Sequence, residues 1–307
     1  GAAEDATGHW HWTNESYPAD AVSLRTVSSD NFVVVDKTDT TRVIGETDYN
    51  TALEILHEKA IYIVEGRLYQ VEQLDIVGRK AYVRHIDCDY YTDAITNSRV
   101  TPLDTAATSG ERPRALPAHG DVHVVSRVVG FKKIKFYTNE NVGSGELDLP
   151  ERQMHTTSYW LTIPRELITA LPYSGDDRRD GVVGMSHAMR QVAQLLLMCD
   201  ARDIGISIGP AREATEDGQA PGAAGPAESW SPALQDGDEP RVFIYDNYPG
   251  GIGFSEPLFR MHGDLVARTR ELIAGCPCES GCPSCVGPLG DVGAKAKTVA
   301  LEILRRL

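Results

Sequence analysis

Four of the six cysteines in this 307-residue chain fall within ten residues, at Cys276, Cys278, Cys282 and Cys285. Thiolates spaced C-x-C-x3-C-x2-C on a short, turn-rich backbone can surround one ion, and zinc prefers four such ligands in a tetrahedron. Because the loop supplies a complete ligand set, the spacing favours a structural zinc site over a catalytic one. Two alternatives are four unconnected thiols and an iron–sulfur cluster, which also uses four cysteines. The single residue between the first two cysteines fits a cluster loop less well.

The overall charge limits the partners of the chain. The formal net charge is −14, which argues against broad, non-specific adhesion to nucleic acid or to acidic membranes, although a narrow basic path is compatible with it. No long apolar run and no signal peptide occur, so we expect no membrane partner and a cytoplasmic, nucleoid-associated protein. Because Gly1 is not preceded by a methionine, we expect the chain to be a piece of a longer protein.

The first half of the sequence predicts a small, barrel-like β domain over residues 21–150. Short apolar runs bounded by turn residues follow one another, with one helix at 49–59 and a three-stranded meander at 60–86. Residues 101–121 are rich in Pro, Thr and Ala and predict a loop. Two further strands are expected on either side of Gly130.

The second half, residues 151–307, predicts an α/β domain, so the fold class is α+β. The spacing of Met185, Met189 and Val192 is typical of a buried helix face. Residues 210–240 are dominated by Ala, Gly, Pro and acidic residues and predict a mobile loop. A strand RVFIYD, a turn YPGGIG and a helix over 256–274 with Ser255 as N-cap come next. Residues 292–307 predict a basic amphipathic helix.

The YPGGIG turn suggests two kinds of site. A glycine-rich loop before a helix can offer backbone N–H groups to a phosphate, here from Gly250 and Gly251, with Tyr248 and Phe254 stacking on bases. A tight packing turn explains the same residues. The carboxylates nearby suggest a metal-dependent hydrolase, because such enzymes gather acidic groups at the ends of strands and helices. These carboxylates are Asp246, Asp200 and Asp203.

Basic residues are sparse but grouped. Lys132, Lys133 and Lys135 lie on the predicted strand FKKIKFY, where lysines beside aromatic side chains resemble a surface for single-stranded nucleic acid. A solvated edge strand guarded by lysines explains them equally well. A further group lies in the predicted last helix and consists of Lys295, Lys297, Arg305 and Arg306.

The segments YDNYPGGIGFSEP and CPCESGCPSCVGP resemble the zinc-binding domain of superfamily 2 DNA-repair helicases of the mitomycin repair factor A type. TSYWLTIP, MCDARDIG and the β meander resemble the neighbouring region of that family, so the resemblance covers nearly the whole chain. It implies that the four cysteines bind zinc and that residues 1–20 end a preceding winged-helix-like element. It also implies a parent protein that moves 3′ to 5′ on single-stranded DNA and is driven by ATP.

The chain lacks the G-x-x-x-x-G-K-[ST] loop and an Asp-Glu box, so we expect no ATP hydrolysis by this region alone. ATP would act only through motor domains of the same parent. The resemblance therefore predicts an accessory region that guides single-stranded DNA and braces the motor, with nuclease or repair partners left open. The alternatives are the metal-dependent hydrolase and a protein-interaction module that does not bind nucleic acid.

Overall fold

The computed structural model describes residues 30–110, 114–211, 238–287 and 292–307, together with the backbone of 2–4 and 10–12. Contacts divide the chain into two compact units that are interleaved in sequence. The first unit contains Gly1–Ala94 and Gly130–Leu147, and the second contains Ile95–Val129 and Asp148–Leu307. Within the described part, no helix has the length and apolar character needed to cross a membrane.

The first unit is built on a mixed sheet. Its elements are β3 (Asn31–Asp36), β4 (Arg42–Asp48), α1 (Tyr49–Ile55), β5 (Ile61–Val64), β6 (Arg67–Asp75) and β7 (Lys80–His85). The strand order is β4-β3-β7-β6-β5, in which only β3 and β7 run parallel. Two short N-terminal strands, β1 (Ala2–Glu4) and β2 (Trp10–Trp12), pair with each other. The predicted winged-helix-like element at 1–20 otherwise lies outside the described residues.

Local sequence explains most of this sheet. Apolar side chains alternate along β3 and β7, so that Phe32, Val34, Ala81 and Val83 face one core. The turn between β5 and β6 has two residues with positive φ, as the hairpin signal Glu65-Gly66 predicts. The three-stranded meander is therefore confirmed. The Asp48 carboxylate accepts hydrogen bonds from two backbone N–H groups and caps α1.

Two long strands, β8 (Tyr90–Pro102) and β10 (Leu116–Lys135), continue from one unit into the other. β8 and the short β9 (Ala107–Thr108) both pair with β10. The predicted loop at 101–121 is therefore wrong in part, because residues 101–102, 107–108 and 116–121 belong to β8, β9 and β10, whereas 103–106, 109–110 and 114–115 lie outside the strands. The prediction of two strands around Gly130 is also wrong, since β10 runs through it without a break.

In the first unit the last residues of β10 pair with β11 (Asn141–Glu146). The second unit adds the strands β12 (Arg152–Thr162), β13 (Ile204–Pro210) and β14 (Pro240–Asp246). Its sheet order is β10-β12-β14-β13, and all neighbours are antiparallel. The predicted mobile loop falls largely on 212–237, which lies outside the described residues.

Helices pack on this second sheet around the largest core. They are α2 (Arg165–Thr169), α3 (Gly175–Leu197), α4 (Ser255–Arg260), α5 (His262–Gly275) and α6 (Ala296–Arg306). The predicted helix face Met185, Met189 and Val192 is buried in α3, as expected. The prediction of a single helix over 256–274 is wrong, because the helix is interrupted at Met261, between α4 and α5. Ser255 is not its N-cap but a buried residue inside α4.

Candidate metal centre and nucleic-acid interface

The four predicted ligands come together. Their Sγ atoms all lie within 4.8 Å of one another. Four of the six Sγ–Sγ distances are 3.5, 3.5, 3.5 and 3.7 Å. Zn–S bonds of about 2.3 Å give a tetrahedron with edges of about 3.8 Å. The sulfur atoms are therefore placed to hold a single ion of this size, and no disulfide joins them.

The end of α5 and two tight turns create this arrangement. Cys276 follows the last helical residue in an extended conformation. Cys285 and Gly287 both donate backbone N–H hydrogen bonds to the Cys282 carbonyl, at 3.0 and 3.1 Å, which closes the second turn. Gly281 has φ 136°, and a Cβ there would collide with Val286. The sequence thus uses glycine where the chain must reverse beside the ligands.

The loop is continuous with the core of the second unit. Cys285 and Val286 are fully buried, and the other three cysteines pack against the same cluster. His187 of α3 contacts the Pro283 carbonyl through Nε2, at 2.8 Å. Burial raises the pKa of the Cys285 thiol to about 12, so in the metal-free chain this thiol keeps its proton at neutral pH. A bound cation has to displace that proton.

Lys297 adds a buried positive charge beside the cysteines. Its side chain is 9% exposed, and its Nζ donates to the Cys276 carbonyl at 2.7 Å and to the Cys278 carbonyl. Nζ also lies 3.6 Å from the Cys278 Sγ. The sequence groups Lys297 with the other basic residues of the last segment, but its side chain is buried, whereas Lys295 is exposed and pairs with Asp177. Lys297 lies three residues before the buried Ala300 and seven before the buried Leu304, so helical periodicity places it on the same buried face.

The glycine turn holds an anion that belongs to the protein itself. Asp246 is 1% exposed, and its Oδ2 accepts hydrogen bonds from the backbone N–H groups of Ile252, Gly253 and Phe254, at 2.7, 3.0 and 3.3 Å. The Thr157 hydroxyl donates to the same oxygen at 3.2 Å. A carboxylate therefore occupies the place that a phosphate takes in an anion-binding loop.

Two further N–H groups of the turn are also engaged. Gly250 donates to the His155 carbonyl at 2.8 Å, and Gly251 donates to the Tyr248 carbonyl at 2.9 Å. These contacts support the interpretation as a tight packing turn, and contact of Gly250 and Gly251 with a phosphate stays a prediction. Phe254 is half-buried against the main core. Stacking of Phe254 and Tyr248 on bases stays a prediction.

The three carboxylates proposed for a hydrolase do not form a metal site. Asp203 Oδ1 accepts a hydrogen bond from the Tyr248 hydroxyl and Oδ2 accepts one from the Asp200 backbone, both at 2.8 Å. Asp200 Oδ1 accepts from the Arg202 backbone, at 3.0 Å. Across the described residues, the cysteines form the one group of three or more metal-ligating side chains. The aspartates therefore act as turn-forming residues.

The predicted lysines lie on the part of β10 that belongs to the first unit. Lys133 places Nζ 4.9 Å from the centre of the Tyr90 ring, and Lys135 places Nζ 3.6 Å from Asp89 Oδ2. The Phe136 ring packs against Tyr91 at 5.6 Å between ring centres. Lys133 thus has an aromatic ring as its neighbour. Contact of Lys132, Lys133 and Lys135 with nucleic acid stays a prediction.

Comparisons with known proteins connect this site to a family. Residues 185–286 match the family described as the MrfA Zn-binding domain. The chain is 38% identical over 301 residues to the uncharacterized ATP-dependent helicase YprA of Bacillus subtilis (strain 168), a match that covers 97% of this chain and 36% of YprA. It is 24% identical to the ATP-dependent helicase HRQ1 of Saccharomyces cerevisiae, covering 88% of this chain and 24% of HRQ1.

Solved structures agree with the sequence comparisons. The DUF1998 helicase MrfA bound to DNA matches 99% of this chain and 37% of its own chain, with a TM-score of 0.58 and 36% identity. A crystal structure of MrfA gives a TM-score of 0.57 and 32% identity, covering 99% of this chain and 38% of that one. The chain spans about a third of the length of YprA and MrfA. It therefore corresponds to a C-terminal region of MrfA-type helicases and contains their zinc-binding domain.

Proposed function

We propose that this chain is the accessory region of an ATP-dependent DNA helicase that moves 3′ to 5′, and that it guides single-stranded DNA and braces the motor. The observation that carries the proposal is the four-thiol centre built into the core of a region that matches DNA-bound MrfA along nearly its whole length. Activity in the cytoplasm, beside the chromosome, belongs to the same proposal.

One zinc ion per chain would join the end of α5 to the loop that follows by coordinating cysteines from both. The ligand loop is too short to hold its shape through its own apolar contacts, so metal binding contributes folding free energy. The short Sγ–Sγ distances support a single ion. In a [4Fe–4S] cluster each cysteine binds a different iron atom, which requires more widely spaced sulfur atoms.

The contact with single strands is proposed for the lysines of β10. Lys133 lies beside the Tyr90 ring, and Lys132 and Lys135 are its neighbours on the strand, whereas the N–H groups of the glycine turn already have acceptors within the protein. Lysines supply charge for the phosphates, and aromatic rings supply stacking surface for bases. The net charge of −14 requires this contact to be local, so its affinity should depend strongly on salt.

Fluorescence anisotropy with a labelled oligothymidine tests this role. We expect binding at low salt that weakens steeply between about 50 and 200 mM salt. Changing Lys132, Lys133 and Lys135 to Ala should lower the slope of log K against log salt by about 2, since each phosphate contact on a single strand contributes about 0.7.

The matched control removes three other basic residues of the first unit, at positions 59, 67 and 80. It lowers the charge by the same amount and should leave the slope unchanged. An equal loss in both triple variants would attribute binding to overall charge. A wild-type chain that does not bind at low salt would contradict the DNA-guiding role and favour a module that contacts only protein.

A further inference from the structure

We propose that Lys297 is the charge-compensating partner of the metal centre, so that one buried ammonium group determines how firmly the cysteines retain zinc. The inference rests on the proposal that a single zinc ion occupies the cluster. It assigns a function to a residue of α6 that lies outside the matched domain at residues 185–286.

The need for such a partner follows from charge. Four thiolates and one Zn²⁺ carry a net charge of −2, and this centre adjoins an apolar core that includes the fully buried Cys285 and Val286. Removing an uncompensated charge from water is costly. A buried cation at hydrogen-bonding distance offsets part of that cost.

The contacts of Lys297 are directed at the ligands. An ammonium group has three N–H donors. Nζ lies 2.7 Å from the Cys276 carbonyl, within hydrogen-bonding distance of the Cys278 carbonyl, and 3.6 Å from the Cys278 Sγ. The two contacts with carbonyl groups hold the backbone of the first two ligands in place, and the third contact places a positive charge beside one thiolate. All three donors therefore act on the metal centre.

These contacts make the four thiolates unequal. Cys278 Sγ is the sulfur that Lys297 contacts, whereas Cys282 is also half-buried but has no such contact among the described residues. A hydrogen bond from a cation withdraws electron density from a thiolate and lowers its nucleophilicity. We therefore expect Cys278 to react with alkylating reagents more slowly than Cys282 in the wild-type, zinc-loaded chain.

The position of Lys297 also links the metal to the last helix. α6 packs against α3, and its Val299 side chain fills the space beside Gly181. Lys297 reaches from this helix to the backbone of the ligand loop. Zinc binding and docking of α6 should therefore stabilise each other.

The test compares Lys297→Met with Lys295→Met in the full chain. Lys295 lies two residues away and is exposed, and its Nζ pairs with Asp177 at 2.9 Å, so its replacement removes the same charge at a distance from the cysteines. Zinc release into excess chelator, followed with a zinc-sensitive dye, should be about 10- to 100-fold faster in Lys297→Met, the range for lost outer partners of metal ligands. Lys295→Met should match the wild type, and Lys297→Arg should recover part of the loss.

Two further measurements separate an electrostatic role from simple loosening of the fold. In Co²⁺-loaded protein, Lys297→Met should shift the sulfur-to-metal charge-transfer bands to lower energy, because one thiolate becomes a better donor. Mass spectrometry after brief alkylation should show increased modification of Cys278 relative to Cys282. If alkylation is accelerated equally at all four cysteines and the Co²⁺ spectrum is unchanged, the proposal is overturned.

The remaining outcomes are also decisive. If Lys297→Met does not fold, the wild-type alkylation order still applies, and a Cys278 that reacts as fast as Cys282 overturns the inference. If wild-type protein contains zinc and Lys297→Met releases it no faster than Lys295→Met, the inference fails while the proposed zinc site stands. If wild-type protein contains no zinc, the proposed site itself fails.

Discussion

Replacing Asp246 with Ala tests the finding that the glycine turn binds a carboxylate of the protein. The side chain is 1% exposed and accepts three backbone hydrogen bonds and one from the Thr157 hydroxyl. The variant would leave these donors without their acceptor. Because water can reach the exposed part of the turn around Gly253, part of that loss is recovered by solvation.

The size of the effect follows from the contacts. A hydrogen bond to a charged group contributes about 1.5–3 kcal/mol, and bonds that share one acceptor oxygen are not additive. We therefore expect Asp246→Ala to lower the free energy of unfolding by about 3–4 kcal/mol. Asp246→Asn keeps an acceptor oxygen but loses the charge, so it should cost about 1–2 kcal/mol. For a unit of this size the alanine variant corresponds to a decrease in Tm of roughly 6–15 °C.

Thermal unfolding followed by circular dichroism measures this effect. Asp200→Ala provides the control, because its carboxylate is more exposed and accepts one hydrogen bond from the Arg202 backbone beside a 4.0 Å ion pair with the exposed Arg202 side chain. Its cost should stay below about 1 kcal/mol. If Asp246→Ala unfolds within 1 °C of the wild type, or if inorganic phosphate stabilises the wild-type protein at this turn, the account of the turn is refuted.

Two other perturbations test the packing and the titration of the second unit. A Cβ at Gly184 would lie 2.8 Å from the Val286 Cβ. Gly184→Ala should therefore lower the free energy of unfolding by about 1–3 kcal/mol and speed zinc release. Gly263→Ala, whose added methyl group meets open space, should be neutral in both assays. Burial lowers the pKa of His262 below its ordinary value, so the folded state favours the neutral ring. The contribution of this ring to stability is therefore present above about pH 6.5 and is lost as the pH falls through the lowered pKa. Chemical denaturation from pH 7.5 to 5 should therefore show a shallower loss in His262→Gln than in the wild type, and identical slopes would contradict this assignment.

The metal centre could be predicted from the sequence because its ligands are close in the chain. Cys276 to Cys285 span one loop, so the ligand spacing and the intervening glycine already restrict the geometry. The hairpin at Glu65-Gly66 was predictable for the same reason, since two residues with positive φ determine the turn. Local signals are reliable where the structure is local.

The errors arose where distant residues decide the outcome. Residues 101–121 have a loop-like composition, yet pairing with β10 makes part of them strand. Asp246 suggested catalysis because its N–H partners lie at residues 252–254, beyond a turn whose shape the sequence does not reveal. The sequence does not distinguish Lys297 from the other basic residues of the last helix, because its acceptors lie about twenty residues away. The proposed domains 21–150 and 151–307 stay a prediction. The two compact units of the structure interleave in sequence, because β8 and β10 each contribute residues to both.

Elemental analysis of the purified chain tests the central claim most directly. We expect one zinc per chain and no iron or acid-labile sulfide, because the sulfur atoms are spaced for a single ion. Cys282→Ser should lose zinc together with cooperative unfolding of the second unit, whereas Cys88→Ser, which changes a cysteine outside the cluster, should retain both. Iron and sulfide in the wild-type protein, or full zinc occupancy in Cys282→Ser, would contradict a closed four-cysteine zinc site.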